Sequence, residues 1–441
     1  MIKIGFAKKE LTLALRPIQP IREPIEAVAM YIESEDMRAL WITLDLMDLN
    51  RNVTDTLKLA VSTLTGLDTS EIHVLSTHNH GGGEPSLPIM SGLVSDSAVK
   101  AISAATPAMM RSAFTESDRQ LNILRRVYIP ELQGTGTLYF GACEANGFEK
   151  ALFTENAVRM AREGRECNSI GTEYTTPVGK FPEADKTVFA AEFVREDGTP
   201  IGSIVRFAAH AVCANRPGSY SSDYPYYVRQ TTERTLGGIC MFLNGPCADI
   251  APAMLNKLEG RERPLGEHIS HLATAALMKE SFAPLTFAKD AKREISLPVR
   301  EEVALNSVTL PESMPDSLPE RKKYFETVRL SRTLPFLREK YTSGESTVTD
   351  KVSVFIGLLT LGNVTLVAFP GETFSTTARA VADEIGGNIV TVTEHERTVM
   401  YMPPYEEHLL GGYEAVCRVT APNAETVLRS EAVRALKSHI G

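Results

Sequence analysis

The sequence predicts an α/β protein of mixed α+β type, in which mixed β-sheets are covered by helices and the active site lies at strand ends. Three observations carry that prediction. Apolar, β-branched runs alternate with stretches of helical spacing along most of the chain, the order expected of sheets packed under helices. Several strand-like runs end at or near polar residues, at His78-Asn79-His80, His210, Asn244 to Asp249 and Glu372, so polar groups collect where the ladders break. These polar strand ends fall in the first, middle and last thirds of the 441 residues. We therefore expect one interleaved domain over 1–441, with 86–175 as a peripheral portion or lid.

The elements follow in order. Apolar runs at Ala27 to Ile32 and Arg38 to Leu49 flank Glu33-Ser34-Glu35-Asp36 as a hairpin, and the second run carries Asp45 among apolar neighbours. Helical spacing over Val53 to Thr65 and a strand from Ile72 complete a β-β-α-β opening. That strand ends in Thr77-His78-Asn79-His80-Gly81-Gly82-Gly83. The glycines free the backbone to turn, so His80 is expected to swing back toward His78. Strands are expected at Val188 to Phe193 and Ile201 to Ala208, the latter stopping near His210. Ser222 or Asp223 then caps a helix over Tyr226 to Leu236. Ile239 to Leu243 is a short buried strand before the Asn244-Gly245-Pro246-Cys247-Ala248-Asp249 turn. Val352 to Leu361 and Val364 to Phe369 pair across Gly362-Asn363, and Pro370-Gly371-Glu372 precedes a helix from Ser375 to Ile385. No repeat or linker is visible.

Composition narrows the function. A formal charge of -9 and a pI near 5.6, without a dense Lys/Arg run, exclude a general nucleic-acid surface and favour a small-molecule substrate. No run is long enough for a membrane span, and the N-terminal residues lack the apolar stretch of a leader, which points to the cytoplasm. Self-association into a homo-oligomer is left open. The six cysteines have no CxxC spacing and are expected to be buried, reduced thiols. Cys247 is read as one of these. His268 and His271 share a helix face and are read as solvated; Glu394-His395-Glu396 offers metal-binding groups but is read as an exposed strand end, with its position just before Tyr401 bringing it toward the pocket. The glycines at 81–83 lack the spacing of a phosphate cradle.

A histidine pair at a strand end is either a polar loop or part of a metal site, and its partners decide between them. His78-Asn79-His80, Ala209-His210, Asn244-Gly245 with Ala248-Asp249-Ile250-Ala251-Pro252, Pro370-Gly371-Glu372-Thr373-Phe374, and Tyr401, Tyr405 and Gly412-Tyr413-Glu414 occur in one order. In that order they resemble the N-terminal catalytic domain of the neutral/alkaline non-lysosomal ceramidase family. The resemblance implies one zinc ion held by His78, His210, Glu372 and Tyr401, with His80 and Tyr413 as catalytic neighbours. Three features depart from the family. Ala251 stands where the family has a serine, and the substrate-side Asn-Arg motif has no clear equivalent, Asn156-Ala157-Val158-Arg159 being the nearest in order. With Tyr413 close to the end of the sequence, the family's C-terminal β-sandwich is expected to be missing.

The implied function is a zinc-dependent hydrolase that cleaves an amide (C–N) or related carbonyl bond in a small soluble substrate through a metal-bound water. His80 and Tyr413 would position the substrate or stabilise the developing oxyanion. Asp45 and Asp223 are candidates to orient the histidines through their second ring nitrogens. The alternatives are a buried hydrogen-bonded carboxylate for Asp45 and a helix cap for Asp223. Asn244 and Asp249 are further supporting candidates. Loss of the serine leaves open a metal-dependent isomerase or lyase, or a non-catalytic binding protein on the same scaffold.

Overall fold

The computed structural model describes residues 1–138, 150–167, 169–170, 184–214, 218–253, 261–341 and 349–441. Within them one topology recurs three times. In the first sheet, Lys3–Glu10 lies antiparallel to Glu26–Glu33, which forms a hairpin with Arg38–Leu44. The helix Arg51–Thr65 then crosses over to Ile72–Ser76, which adds parallel to Arg38–Leu44. In the second sheet, Met109–Glu116, Thr187–Val194 and Pro200–Phe207 play the antiparallel parts, and Asp223–Leu236 crosses to the parallel strand Ile239–Asn244. In the third, Ala288–Pro298, Lys351–Leu361 and Val364–Ala368 are followed by Ser375–Ile385 and the parallel Ile389–Val392. A second helix then closes each unit: Leu87–Ser103 packs on the first crossover helix, Glu262–Leu277 on the second and Ala424–Ile440 on the third.

The fold is therefore mixed α/β, as the alternation of periods predicts, but the chain does contain a repeat. It is a repeat of topology, and such a repeat leaves no sequence period when each copy meets different neighbours. The expected lid also needs revision. Leu87–Ser103 covers the first sheet and Met109–Glu116 is an inner strand of the second, so this part of 86–175 is framework. Residues 139–149, 168 and 171–175 of that span lie outside the described residues.

The sheets share buried side chains. One cluster takes Ile4, Met30 and Trp41 from the first, Phe189, Phe193 and Met241 from the second, and Leu359, Leu366 and Val390 from the third. Each large apolar side chain removed from water here contributes about 1.5–3 kcal/mol. A charged seam adds to the contact between the first two units. Arg229, on the second unit's crossover helix, reaches Asp45 at 2.6 Å and Glu26 at 3.1 Å in the first, with all three buried.

This arrangement brings polar strand ends together. In each unit the second hairpin strand and the parallel strand run in the same direction and end side by side. Asp45 and His78 follow those two strands in the first unit, His210 and Asn244–Asp249 in the second, and Glu372 and Glu394–Tyr401 in the third.

Candidate metal centre

The first histidine is aimed by its own backbone. His78 has φ 57°, a left-handed conformation that costs a non-glycine residue roughly 1–2 kcal/mol. It turns His78 and His80 toward one another, leaving their Nε2 atoms 3.4 Å apart. The sequence suggested that the glycines would make this turn, yet of the three only Gly83 has a positive φ. Gly81 and Gly82 serve close approach instead, because a Cβ on either would overlap the carbonyl of Ser221 or Asp45.

His210 arrives from the second unit. The His78 and His210 segments are tied together by a bridge between Asn79 and Ala211, and the His80 amide donates to the Ala211 carbonyl at 3.2 Å. Glu372 and Tyr401 come from the third unit, held opposite each other by parallel pairing of Glu372–Thr373 with Tyr401–Met402. Glu372 Oε2 lies 3.1 Å from His210 Nε2 and 3.3 Å from His78 Nε2. The Tyr401 hydroxyl is 3.4 Å from His210 Nε2. His78, His210, Glu372 and Tyr401 are all buried, whereas His80 is half-buried.

These separations fit a cation. Ligands about 2.0–2.1 Å from a tetrahedral zinc lie roughly 3.3–3.4 Å from one another. Nitrogen and carboxylate donors are also the set that zinc takes. His78 and His210 each use the other ring nitrogen on a backbone carbonyl, Nδ1 of His78 on Met47 at 2.9 Å and Nδ1 of His210 on Ile250 at 3.0 Å. Each ring thus carries its hydrogen on Nδ1 and presents Nε2 to the shared point.

The electrostatics agree. Burial lowers His210 to about 4, assisted by Arg125, and lowers His80 well below its ordinary value, so both rings are neutral at pH 7. Burial acts the same way on His78, but Glu372 and Glu394 outweigh it and raise the ring to about 9. Glu372 is held far below the usual carboxylate range, as His78 and His210 outweigh its burial. In the metal-free protein the His78 ring therefore holds a proton where a divalent cation would replace it, while burial, with Glu372 nearby, pushes the Glu394 carboxyl up to about 8.

One neighbour escapes the sequence reading, and a second is brought near the pocket there only by its position just before Tyr401. Arg125 is buried, donates to the Tyr401 hydroxyl at 3.0 Å, and is fixed by Glu414 at 3.0 Å. It lies between the short strands Asn122–Leu124 and Arg126–Ile129, in a span with no motif to announce it. Glu394 lies with Oε1 3.4 Å from His78 Nδ1. The exposed strand end expected at Glu394-His395-Glu396 is wrong, since all three side chains are buried. Their partners come from remote parts of the chain, which local charge pattern cannot reveal.

The supporting candidates have other duties. Asp45 binds Arg229 and accepts from the Glu26 amide at 2.9 Å and the Thr77 hydroxyl at 3.2 Å. Asp223 accepts from the backbone amide of Tyr224 at 2.6 Å and from that of Ala214 at the start of its helix. Neither orients a histidine; the carbonyls of Met47 and Ile250 do. Asn244 spans the strand ends, donating to the Thr77 carbonyl at 3.2 Å, and Asp249 accepts from the Ser375 amide at 2.8 Å at the head of its helix. Tyr413 packs edge-on against Tyr401, ring centres 5.4 Å apart, with the Arg329 guanidinium 4.7 Å from its ring. Arg159 is exposed and pairs with Glu163. Ala251 is buried in the strand Ile250–Pro252 and brings no hydroxyl. The five described cysteines, Cys247 included, are free and buried; Cys143 lies outside the described residues.

No protein-family signature and no curated protein sequence matches the chain. Solved structures do. The neutral ceramidase from Pseudomonas aeruginosa superimposes with a TM-score of 0.65 at 15% identity, over 99% of this chain and 75% of that one. A ceramidase complexed with C2 superimposes with a TM-score of 0.66 at 13% identity, over 99% and 75%. The chain thus has the ceramidase fold. No described helix is long and apolar enough to cross a membrane.

Proposed function

We propose that this protein is a zinc-dependent hydrolase of an amide or related carbonyl bond in a small substrate. The observation that carries the reading is the convergence of His78 Nε2, His210 Nε2 and Glu372 Oε2 within 3.1–3.3 Å contacts, next to the Tyr401 hydroxyl. His78, His210, Glu372 and Tyr401 would hold the ion. Bound zinc supplies Lewis acidity, which polarises a carbonyl and acidifies water.

The chain's own groups supply the remaining steps. His80, neutral and half-buried beside His78, is the base that accepts a proton from water and returns it to the leaving nitrogen. Arg125 keeps its charge despite burial, since Tyr401, Glu414 and Glu372 outweigh desolvation, and it stabilises negative charge on the Tyr401 oxygen. Together with Tyr413 it lines the side on which an oxyanion develops. Without a hydroxyl at Ala251, these groups carry the polar load. The ceramidase fold supports a C–N bond as the one cleaved.

The test is His210→Ala. It should abolish stoichiometric zinc while cooperative unfolding persists; retention of one tightly bound zinc per chain contradicts the ligand set. Incorporation of labelled solvent oxygen into product from N-acyl compounds then separates hydrolysis from isomerisation.

A further inference from the structure

Behind His78 lies a second buried cluster that the proposed chemistry does not use. Its residues are His73, His395, Glu396, Lys58, Lys292 and Asp290, all but excluded from solvent. We propose that this cluster is a positioning device for the candidate metal centre: it clamps the 394–400 strap so that Glu394 stays against His78 and Tyr401 stays beside His210. The proposal rests on the zinc reading above.

The strap lies along the outer edge of the strand that carries His78. The Ser76 amide donates to the Glu394 carbonyl at 3.1 Å and the Glu396 amide to the Val74 carbonyl at 3.0 Å, around a bridge between Leu75 and His395. This conformation is intrinsically unfavourable. Glu394, Glu396, Arg397 and Met400 have φ of 59°, 34°, 46° and 63°, left-handed values that cost a non-glycine residue roughly 1–2 kcal/mol each. Such a backbone persists only where its surroundings over-determine it.

The surroundings do so from several elements. Glu396 receives Lys58, from the first crossover helix, at 2.9 Å and Lys292, from the third sheet, at 2.7 Å. Arg397 binds both oxygens of Asp55 at 3.0 Å. His395 Nδ1 lies 3.1 Å from the Phe355 carbonyl and so must carry a hydrogen, which leaves Nε2 to accept from His73 Nδ1 at 3.0 Å. His73 Nε2 then shares one proton with Asp290 at 2.9 Å, and Asp290 accepts from Trp41 Nε1 at 2.9 Å. Each ring is fixed in one orientation. Gly357 makes the room, since a Cβ there would stand 2.9 Å from His395 Nε2 and 3.0 Å from His73 Nδ1.

A second metal site is the rival use of His73, His395 and Glu396, whose donor atoms lie within 4.8 Å of one another. Two ammonium groups already neutralise Glu396, however, and His395 Nε2 is occupied by His73. A dication would face Lys58 and Lys292 at short range. What the clamp delivers is Glu394, a buried carboxyl with Thr398 beside it and with Oε1 3.4 Å from His78 Nδ1.

The experiment uses the full chain, with zinc and cobalt(II) alone as probes. Chelator competition should show Glu396→Gln to weaken zinc about 10–100-fold, the usual effect of losing an outer partner. The cobalt visible spectrum should shift with it. Glu192→Gln, which breaks a buried pair with Arg111 on the second sheet, should leave both unchanged. An unaltered zinc affinity and cobalt spectrum in Glu396→Gln overturns the clamp while leaving the metal centre intact. Two zinc ions per wild-type chain, one of them lost in Glu396→Gln, overturns it in favour of a second site. Wild-type protein that takes up no zinc refutes the metal centre and the clamp together. If Glu396→Gln does not fold, hydrogen exchange of the wild-type protein decides. Zinc should slow the amides of 394–400, and unchanged exchange there rejects the coupling.

Discussion

At the scale of single residues, the site works by opposing burial with charge. Burial keeps the rings of His80 and His210 neutral, whereas Glu372 and Glu394 hold the second proton on His78 up to about pH 9. A metal ion must displace that proton. Zinc affinity should therefore rise with pH by up to about tenfold per unit from neutrality to about 9 and then level off, since only the deprotonated ring is a ligand. Isothermal titration in buffers of different ionisation enthalpy would count the proton released; affinity independent of pH over this range contradicts the assignment. His78 and His80 are legible in sequence as a histidine pair at a strand end before glycines, and His210, Glu372 and Tyr401 through the order of motifs that resembles the ceramidase family. Arg125 is not, and Glu394 is legible only by its place before Tyr401, with its burial hidden. Their importance comes from what they face, the Tyr401 hydroxyl and the His78 ring, and those contacts cross 276 and 316 positions of the chain, the separations 401 − 125 and 394 − 78.

At the scale of elements, carboxylates at strand ends hold neighbouring elements in place. Asp249 binds the amide and hydroxyl of Ser375 at 2.8 and 2.7 Å, capping the Ser375–Ile385 helix that begins three residues after Glu372. Asp249→Ala should destabilise the protein by about 1 kcal/mol, the common scale for a lost cap, and loosen zinc through Glu372. Chemical denaturation and chelator competition on the same variant test both halves. The hairpins were readable in advance: Gly362-Asn363 joins Leu361 to Val364 as its turn chemistry predicts, and Glu33 pairs with Arg38 across the expected polar turn. The strap at 394–400 was unreadable, since left-handed residues without glycine give no local signal. Asp45 and Asp223 show the converse: a buried aspartate near a site looks like an orienting group, but arginine and amide partners occupy these two.

At the scale of the whole molecule, three copies of one topology place their strand ends around a common point. The proposed metal ligands are contributed by all three, so a site of this composition requires that the units dock. The seam of Arg229 with Asp45 and Glu26 joins the first to the second close behind His78. Arg229→Met leaves Asp45 buried without its cation and Glu26 with Lys8 alone, and should cost about 3–5 kcal/mol. Thermal and chemical unfolding of that variant should move together in a single transition; a loss below 1 kcal/mol would show the seam to be incidental. The repeat was invisible in sequence because hydrophobic pattern specifies an element's period, whereas sheet order depends on contacts between distant strands. The fold class itself was legible, since alternation of strand and helix periods survives any arrangement of the units.

Anomalous scattering at the zinc edge, from crystals of the full chain grown with zinc, tests the metal centre most directly. The expected result is one peak roughly 2.0–2.2 Å from His78 Nε2, His210 Nε2 and a Glu372 carboxylate oxygen, with the Tyr401 oxygen facing it. No peak at that point, or a peak between His73 and His395 alone, would contradict the account.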